Sequence, residues 1–135
     1  MLFRSYVADV KKELFPRMDD PRYASVSKDE DGTLVMTVYG PSWELCAVED
    51  FALVLLHEYT HVVIWDRLEA SIPNLGCRSA VHELFANQSE LDQVQIQGTL
   101  TMRRGTYFAY VNYYHQAQSY CLPGVIDLFP KPEIE

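Results

Sequence analysis

Two histidines four residues apart constrain this chain more than any other feature, because they directly follow its most apolar segment. Residues 57–61 read His-Glu-Tyr-Thr-His, and residues 51–56 carry no polar side chain. Positions i and i+4 of a helix share a face, so the imidazoles of His57 and His61 can reach one ion. Since an unpartnered histidine pair is costly to bury, the pattern predicts a metal-binding helix. The alternative is a pair of core histidines with satisfied hydrogen bonds.

Glu58, beside the first histidine, is the candidate for proton transfer. Its carboxylate would lie near the open coordination position, where it can accept a proton from a metal-bound water and pass it on. Zinc is the expected ion, because two imidazoles and a carboxylate suit Zn²⁺ and because zinc lowers the pKa of bound water towards neutrality.

A third protein ligand is expected on the next helix, since catalytic zinc sites have three. Residues 82–87 read His-Glu-Leu-Phe-Ala-Asn, and Glu83 is the first candidate. His82 is the alternative; the two side chains point about 100° apart around a helix, so only one is expected to bind. Asn87 lies one turn beyond Glu83 and is expected to orient a zinc-bound imidazole. Either candidate ligand would otherwise be a solvated or capping residue near a helix start.

The spacing of apolar residues and breakers predicts an α+β fold in one domain, residues 1–135, with one small sheet and three or four helices. We expect helices and strands as follows: helices over 2–15, 44–70, 79–97 and 106–120, and strands over 22–28 and 33–39 joined by a turn at 29–32. Ser79 is the expected N-cap of the second long helix. Residues 98–105 are expected to form a polar link, and the segment after Pro123 to be extended.

Charge and cysteine content argue against several kinds of partner and location. The net charge of −8 disfavours nucleic acid and anionic membranes, because both require a basic surface. No apolar run is long enough for a signal peptide or a membrane span. The three cysteines, Cys46, Cys77 and Cys121, are widely spaced and form no CxxC pair, so neither a disulfide framework nor a cysteine zinc site is expected. A reducing, cytoplasmic location is the simplest expectation.

The two motifs together resemble those of the gluzincin clan of zinc peptidases. Residues 57–61, HEYTH, are followed by residues 83–87, ELFAN, and in that clan a glutamate on a later helix completes the site. The ExxAN form is similar to the ImmA/IrrE-type metallopeptidases, and the small size to minimal gluzincins. The resemblance implies a small sheet packed on an active-site helix and a following glutamate helix, with an edge strand that pairs with an extended peptide.

Strand 33–39 is the best sequence candidate for that edge strand. Val35, Thr37 and Tyr39 would then be the residues along which a peptide adds as a further strand. The alternative is an ordinary internal strand.

The aromatic segment after residue 106 is the candidate source of a hydrogen-bond donor for an oxyanion. Gluzincins generally use a tyrosine or histidine beyond the zinc helices, and His115 and Tyr114 are the first candidates. The other aromatic residues at or near helical spacing are Tyr107, Tyr110, Tyr113 and Tyr120. An aromatic stripe is more often core packing.

These features predict a zinc-dependent peptidase that hydrolyses peptide bonds in a peptide or protein substrate, with Zn²⁺ as cofactor and Glu58 as the residue that activates water. Two alternatives stay open: a zinc-binding regulatory or interaction module without catalytic activity, and an interaction protein without metal. The C-terminal segment 121–135 is a candidate cover for the cleft. The sequence does not determine the oligomeric state.

Overall fold

Within the part of the chain that the structure describes, the sheet has three strands and is built around the predicted hairpin. The structure, a computed structural model, describes residues 6–11, 24–39, 48–93 and 98–133. Strands β1 (Tyr6–Lys11), β2 (Ala24–Lys28) and β3 (Leu34–Tyr39) lie in the order β1-β3-β2, with β3 parallel to β1 and antiparallel to β2. The turn between β2 and β3 is closed by Asp29, whose carboxylate accepts hydrogen bonds from the backbone N–H groups of Asp31 and Thr33. Both predicted strands are thus confirmed within the described residues.

The predicted helix over residues 2–15 is wrong for residues 6–11, which form β1. The apolar residues of this segment satisfy helical spacing, but its valines and tyrosine also favour a strand. Pairing with β3 along the whole of β1 supplies backbone hydrogen bonds from a distant part of the chain, and such pairing overrides a weak local preference. The rest of the predicted helix lies outside the described residues.

Strand β3 is the middle strand of the sheet, so the prediction that it is a substrate edge is wrong. Val35 and Thr37 are paired with β1 on one side and with β2 on the other, and Tyr39 is paired with Lys11 of β1. An added peptide strand needs a row of unpaired backbone groups, and β3 has a neighbour on both sides.

Four helices lie in the described residues after the sheet: α1 (Val48–Ser71), α2 (Leu75–Asp92), α3 (Leu100–Tyr120) and the short α4 (Pro123–Ile126). The predicted histidine helix is confirmed from residue 48 onwards. The N-cap predicted at Ser79 is wrong, because the Asn74 side chain accepts a hydrogen bond from the Cys77 N–H and starts α2 earlier. The polar link predicted for residues 98–105 is also wrong from Leu100 onwards, since Thr99 caps α3.

The core has two parts that hold α1 between the sheet and the other helices. Val81 and Leu84 are among the residues buried between α2 and α3, together with two alanines that have no exposed surface, Ala80 and Ala117. A second cluster places the sheet residues Met36 and Val38 against α1. The chain is therefore an α+β protein whose sheet packs on the first long helix.

The C-terminal segment packs into the core instead of extending. Ile126 and Phe129 are buried in the cluster between α2 and α3, and the Phe129 ring lies 4.7 Å from that of Phe85. The Tyr110 hydroxyl donates to the Pro130 carbonyl oxygen at 2.6 Å. Residues 121–133 contribute nothing to the lining of the two cavities beside the histidines. The prediction of an extended segment is therefore wrong for residues 123–129, which form α4 and the turn after it. The prediction of a cover over the cleft is wrong for residues 121–133.

A disulfide bond joins Cys77, in the first turn of α2, to Cys121, at the end of α3, with the two Cα atoms 4.9 Å apart. The expectation that no cysteines pair is wrong, because the fold brings together two residues that lie 44 positions apart in the chain. With this pair present, the cysteines no longer support a reducing compartment. None of the described helices combines the length and apolar character needed to cross a bilayer.

Candidate metal centre

His57 and His61 lie one turn apart on α1, on the side of the helix that faces α2. The Nε2 atoms of both rings approach the Glu83 carboxylate: His57 Nε2 is 3.1 Å from Oε2, and His61 Nε2 is 3.3 Å from Oε1. One ligand atom from each of the three residues lies within 4.8 Å of the others. Two imidazoles and one carboxylate fit Zn²⁺, which in catalytic sites takes three protein ligands and keeps one open position.

Glu90 is a buried partner of His57 that the sequence analysis missed. Its Oε2 lies 2.7 Å from His57 Nδ1, and the residue is 4% exposed. The Thr106 hydroxyl, from α3, donates to Glu90 Oε1 at 3.4 Å. A carboxylate on the second nitrogen of a metal-binding imidazole fixes its tautomer and orientation. Because Glu90 follows Glu83 by seven residues, about two helical turns, this spacing could have identified it.

Asn87 does not have the predicted contact with an imidazole. Its Nδ2 donates to the backbone carbonyl oxygen of Glu83 at 2.8 Å, within the same helix. This local bond satisfies the amide, and Glu90, one turn further along α2, contacts His57 instead. The prediction that Asn87 orients an imidazole is therefore wrong.

His82 lies on the far side of His61 from Glu83. Its Nδ1 is 3.2 Å from His61 Nδ1, whereas His61 Nε2 faces Glu83. The ring also lies against Trp65, with centroids 5.1 Å apart. Burial, together with the nearby His61, lowers the pKa of His82 to about 4. The structure thus brings Glu83, and not His82, to the Nε2 atoms of both His57 and His61.

Two carboxylates determine the ionisation of His57. Burial lowers the pKa of His57, but the hydrogen bonds and negative charges of Glu83 and Glu90 outweigh burial and raise the pKa to about 10. Burial acts to raise the pKa of Glu83, but hydrogen bonds and charges from His57 and His61 hold it well below its usual range. The metal-free site therefore keeps a proton on His57 and a negative charge on Glu83.

Glu58 is buried beside the histidines, with 8% of its surface exposed. Burial raises the pKa of its carboxyl group, although the charges of His57 and His61 act in the opposite direction. Glu58, His57 and Ala24 belong to the walls of two neighbouring cavities. The site is thus the point at which the two cavities meet.

The two cavities differ in their linings. The larger, about 530 Å³, is lined by His61, Trp65, Arg78, His82 and Tyr113 among others. The smaller, about 410 Å³, is largely apolar and includes Val54, Met102, Gly105 and Ala109. Both volumes are typical of sites that take small molecules or side chains.

Tyr113 is the tyrosine of α3 that lines the larger cavity. It lines the larger cavity together with His57, His61 and Glu83, and burial and the charge of Glu83 raise the pKa of its phenol. Tyr114 is instead buried in the core, and His115 is exposed and bonded to Gln118. The first candidates for an oxyanion donor are therefore wrong, because neither side chain lines either cavity.

The fold and the site define an α+β protein with a candidate His-His-Glu metal centre between its first two long helices. The chain matches no family model, no curated protein and no solved structure. The function therefore has to be argued from the geometry of the site.

Proposed function

We propose that this protein is a zinc-dependent peptidase with His57, His61 and Glu83 as its metal ligands. The proposal depends on one observation: two Nε2 atoms from α1 face one carboxylate from α2, at 3.1 and 3.3 Å. When bound, zinc supplies Lewis-acid polarisation of a carbonyl oxygen and lowers the pKa of a water molecule.

Glu58 moves the proton in this proposal. It lies between the two histidine ligands in the sequence of α1, is buried, and lines both cavities beside His57. A carboxylate in this position accepts a proton from the attacking water and donates it to the leaving amine. Because the side chain lies out of bulk water, the proton stays with the reacting groups.

Tyr113 stabilises the negative charge that develops on the carbonyl oxygen. Tyr113 belongs to the wall of the larger cavity, on the side of α3. Its raised pKa keeps the phenol protonated at neutral pH, so that the O–H can donate a hydrogen bond.

Strand β2 replaces β3 as the strand beside which a peptide would lie. Ala24 and Val26 line the larger cavity, and β2 is the outer strand of the described sheet on the side opposite β1. The peptide would then run past Glu58 from one cavity to the other. The gluzincin resemblance, which implies a substrate strand at a sheet edge, supports this position.

The variant Glu58→Gln tests the proposal. It should keep stoichiometric zinc and lose turnover, because only the proton carrier is removed. The matched control is Glu30→Gln, the same chemical change in the exposed turn between β2 and β3, which should keep both. Zinc is measured by elemental analysis and cleavage by mass spectrometry of a library of unstructured peptides.

The possible outcomes separate the candidate functions. Cleavage by Glu58→Gln at the wild-type rate would refute the peptidase mechanism. Zinc without cleavage by the wild-type protein would leave the zinc-binding regulatory module. Absence of metal from the wild-type protein would leave the interaction protein.

A further inference from the structure

Both ring nitrogens of His61 have a defined neighbour inside the protein. Nε2 lies 3.3 Å from Glu83 Oε1, and Nδ1 lies 3.2 Å from His82 Nδ1. The two histidines are 7% and 9% exposed, so water has little access to replace the contact between them. One of the two Nδ1 atoms must carry a hydrogen for this contact to be favourable.

The Nε2 atom of His61, which faces Glu83, determines whether the hydrogen lies on Nδ1 of His61 or on Nδ1 of His82. A neutral imidazole that binds a metal through Nε2 carries its hydrogen on Nδ1. We infer that His82 is a positioning residue of the metal site: its neutral ring accepts a hydrogen bond at Nδ1 from the Nδ1–H of His61 and so fixes the nitrogen that His61 presents to the ion. This inference rests on the proposed metal ligands, and it assigns the hydrogen of His82 to Nε2.

The two metal-binding rings then have partners of different charge. His57 Nδ1 is held by the carboxylate of Glu90 at 2.7 Å, whereas His61 Nδ1 is held by a neutral ring. A carboxylate partner adds negative charge near the ion and makes the imidazole more basic, while a neutral acceptor fixes orientation without adding charge. Glu90 and His82 thus orient the two histidine ligands, and of these two partners only Glu90 adds a negative charge to that of Glu83.

The hydrogen-bond and carboxylate partners of the two rings described above lie on one helix. His82, Glu83 and Glu90 all lie on α2, and the Trp65 ring packs against His82 from α1. Because the partner of His61 precedes the ligand Glu83 by one residue, any rotation of α2 moves both together. The orientation of His61 and the position of the carboxylate ligand are therefore coupled.

Nitrogen-15 NMR of the zinc-loaded protein tests the tautomers directly. The inference requires His61 to be protonated at Nδ1 only, and His82 at Nε2 only. A hydrogen on Nδ1 of His82, or on both of its nitrogens, would overturn it. The wild-type protein gives this answer, so the result does not depend on whether a variant folds.

Zinc affinity, measured by chelator competition, tests the consequence. His82→Phe removes the acceptor and should weaken zinc binding about 10–100-fold, as changes to partners of metal ligands do. His82→Asn keeps an acceptor oxygen and should restore most of the affinity, while His115→Phe, the same change at an exposed histidine of α3, should leave it unchanged. The visible spectrum of the Co²⁺-substituted protein should change in His82→Phe alone.

The readouts separate this inference from the proposed peptidase activity. Equal zinc affinities for folded His82→Phe and His115→Phe would refute the role of His82 whatever the activity. If the protein binds zinc and cleaves no peptide, the tautomers and affinities still stand and only the peptidase proposal fails. If the wild-type protein binds no zinc, both fail.

Discussion

Zinc binding should be strongly pH-dependent, because the ion has to displace a proton from His57. Glu83 and Glu90 raise the pKa of His57 to about 10, so the metal-free site is protonated throughout the neutral range. Each unit of pH below that pKa weakens zinc binding about tenfold through this one proton. Raising the pH from 6 to 8 should therefore tighten the dissociation constant about 100-fold. A histidine with the ordinary pKa of about 6.5 would give only about a fourfold change over the same interval.

Calorimetry in buffers of different ionisation enthalpy counts the protons released, and chelator competition at pH 6, 7 and 8 measures the affinity. At pH 7 one proton should leave His57 for each zinc bound. The variant Glu90→Gln removes one carboxylate, lowers the pKa of His57 and should make the pH dependence shallower. A wild-type change of about fourfold or less between pH 6 and 8 would refute the assignment of a bound proton to His57.

The same raised pKa determines how the metal-free fold responds to pH. A folded-state pKa above the unfolded value means that protonated His57 stabilises the fold. That contribution is complete below pH 6.5, the ordinary value, and is lost as the pH rises through about 10. The depressed pKa of Glu83 acts in the opposite direction, and its contribution is lost in acid. Thermal unfolding of the metal-free protein should therefore show a melting temperature that declines in the alkaline range.

Two further predictions concern α3 and its links. Replacing Cys77 and Cys121 by serine should lower the free energy of unfolding by about 4 kcal/mol, which follows from the entropy of closing a loop of 44 residues. Denaturant unfolding measures this loss. Detection of three free thiols instead of one in the unfolded wild-type protein would contradict the pairing. Tyr113→Phe should lower kcat about 10²–10³-fold, as loss of an oxyanion donor does, with zinc content unchanged, while Tyr114→Phe should keep its activity. Equal rates for the two variants would exclude Tyr113 as the donor.

The spacing of apolar residues and turn residues was sufficient to predict those helices and strands whose apolar residues are buried as that spacing indicates. Helix α1 and the hairpin of β2 and β3 follow from spacing and turn residues close together in the chain. The proximity of Glu83 to both histidines could be expected because three protein ligands are needed and the next helix offers few candidates. These inferences depend on contacts within an element or between neighbouring ones.

The errors arise where a contact between distant segments decides the outcome. Strand β1 exists through its pairing with β3, and that pairing also removes the free edge expected at Val35. Whether Tyr113 or Tyr114 faces the cleft depends on the rotation of α3, since adjacent residues differ by about 100° around a helix. The disulfide likewise follows from how the end of α3 meets the start of α2.

Gly105, within α3, leaves open space beside the smaller cavity. It lies inside the helix, where glycine costs about 1 kcal/mol relative to alanine, and it lines the smaller cavity. A Cβ atom built at this position would meet no other atom within 4 Å, so tight packing does not require the glycine. Glycine lowers the intrinsic stability of α3 at this position. The absence of a side chain leaves volume in the smaller cavity, which Met102 also lines. Replacing Gly105 by alanine, and then by larger residues, should therefore narrow the smaller cavity for a bound ligand without disturbing the packing between the helices.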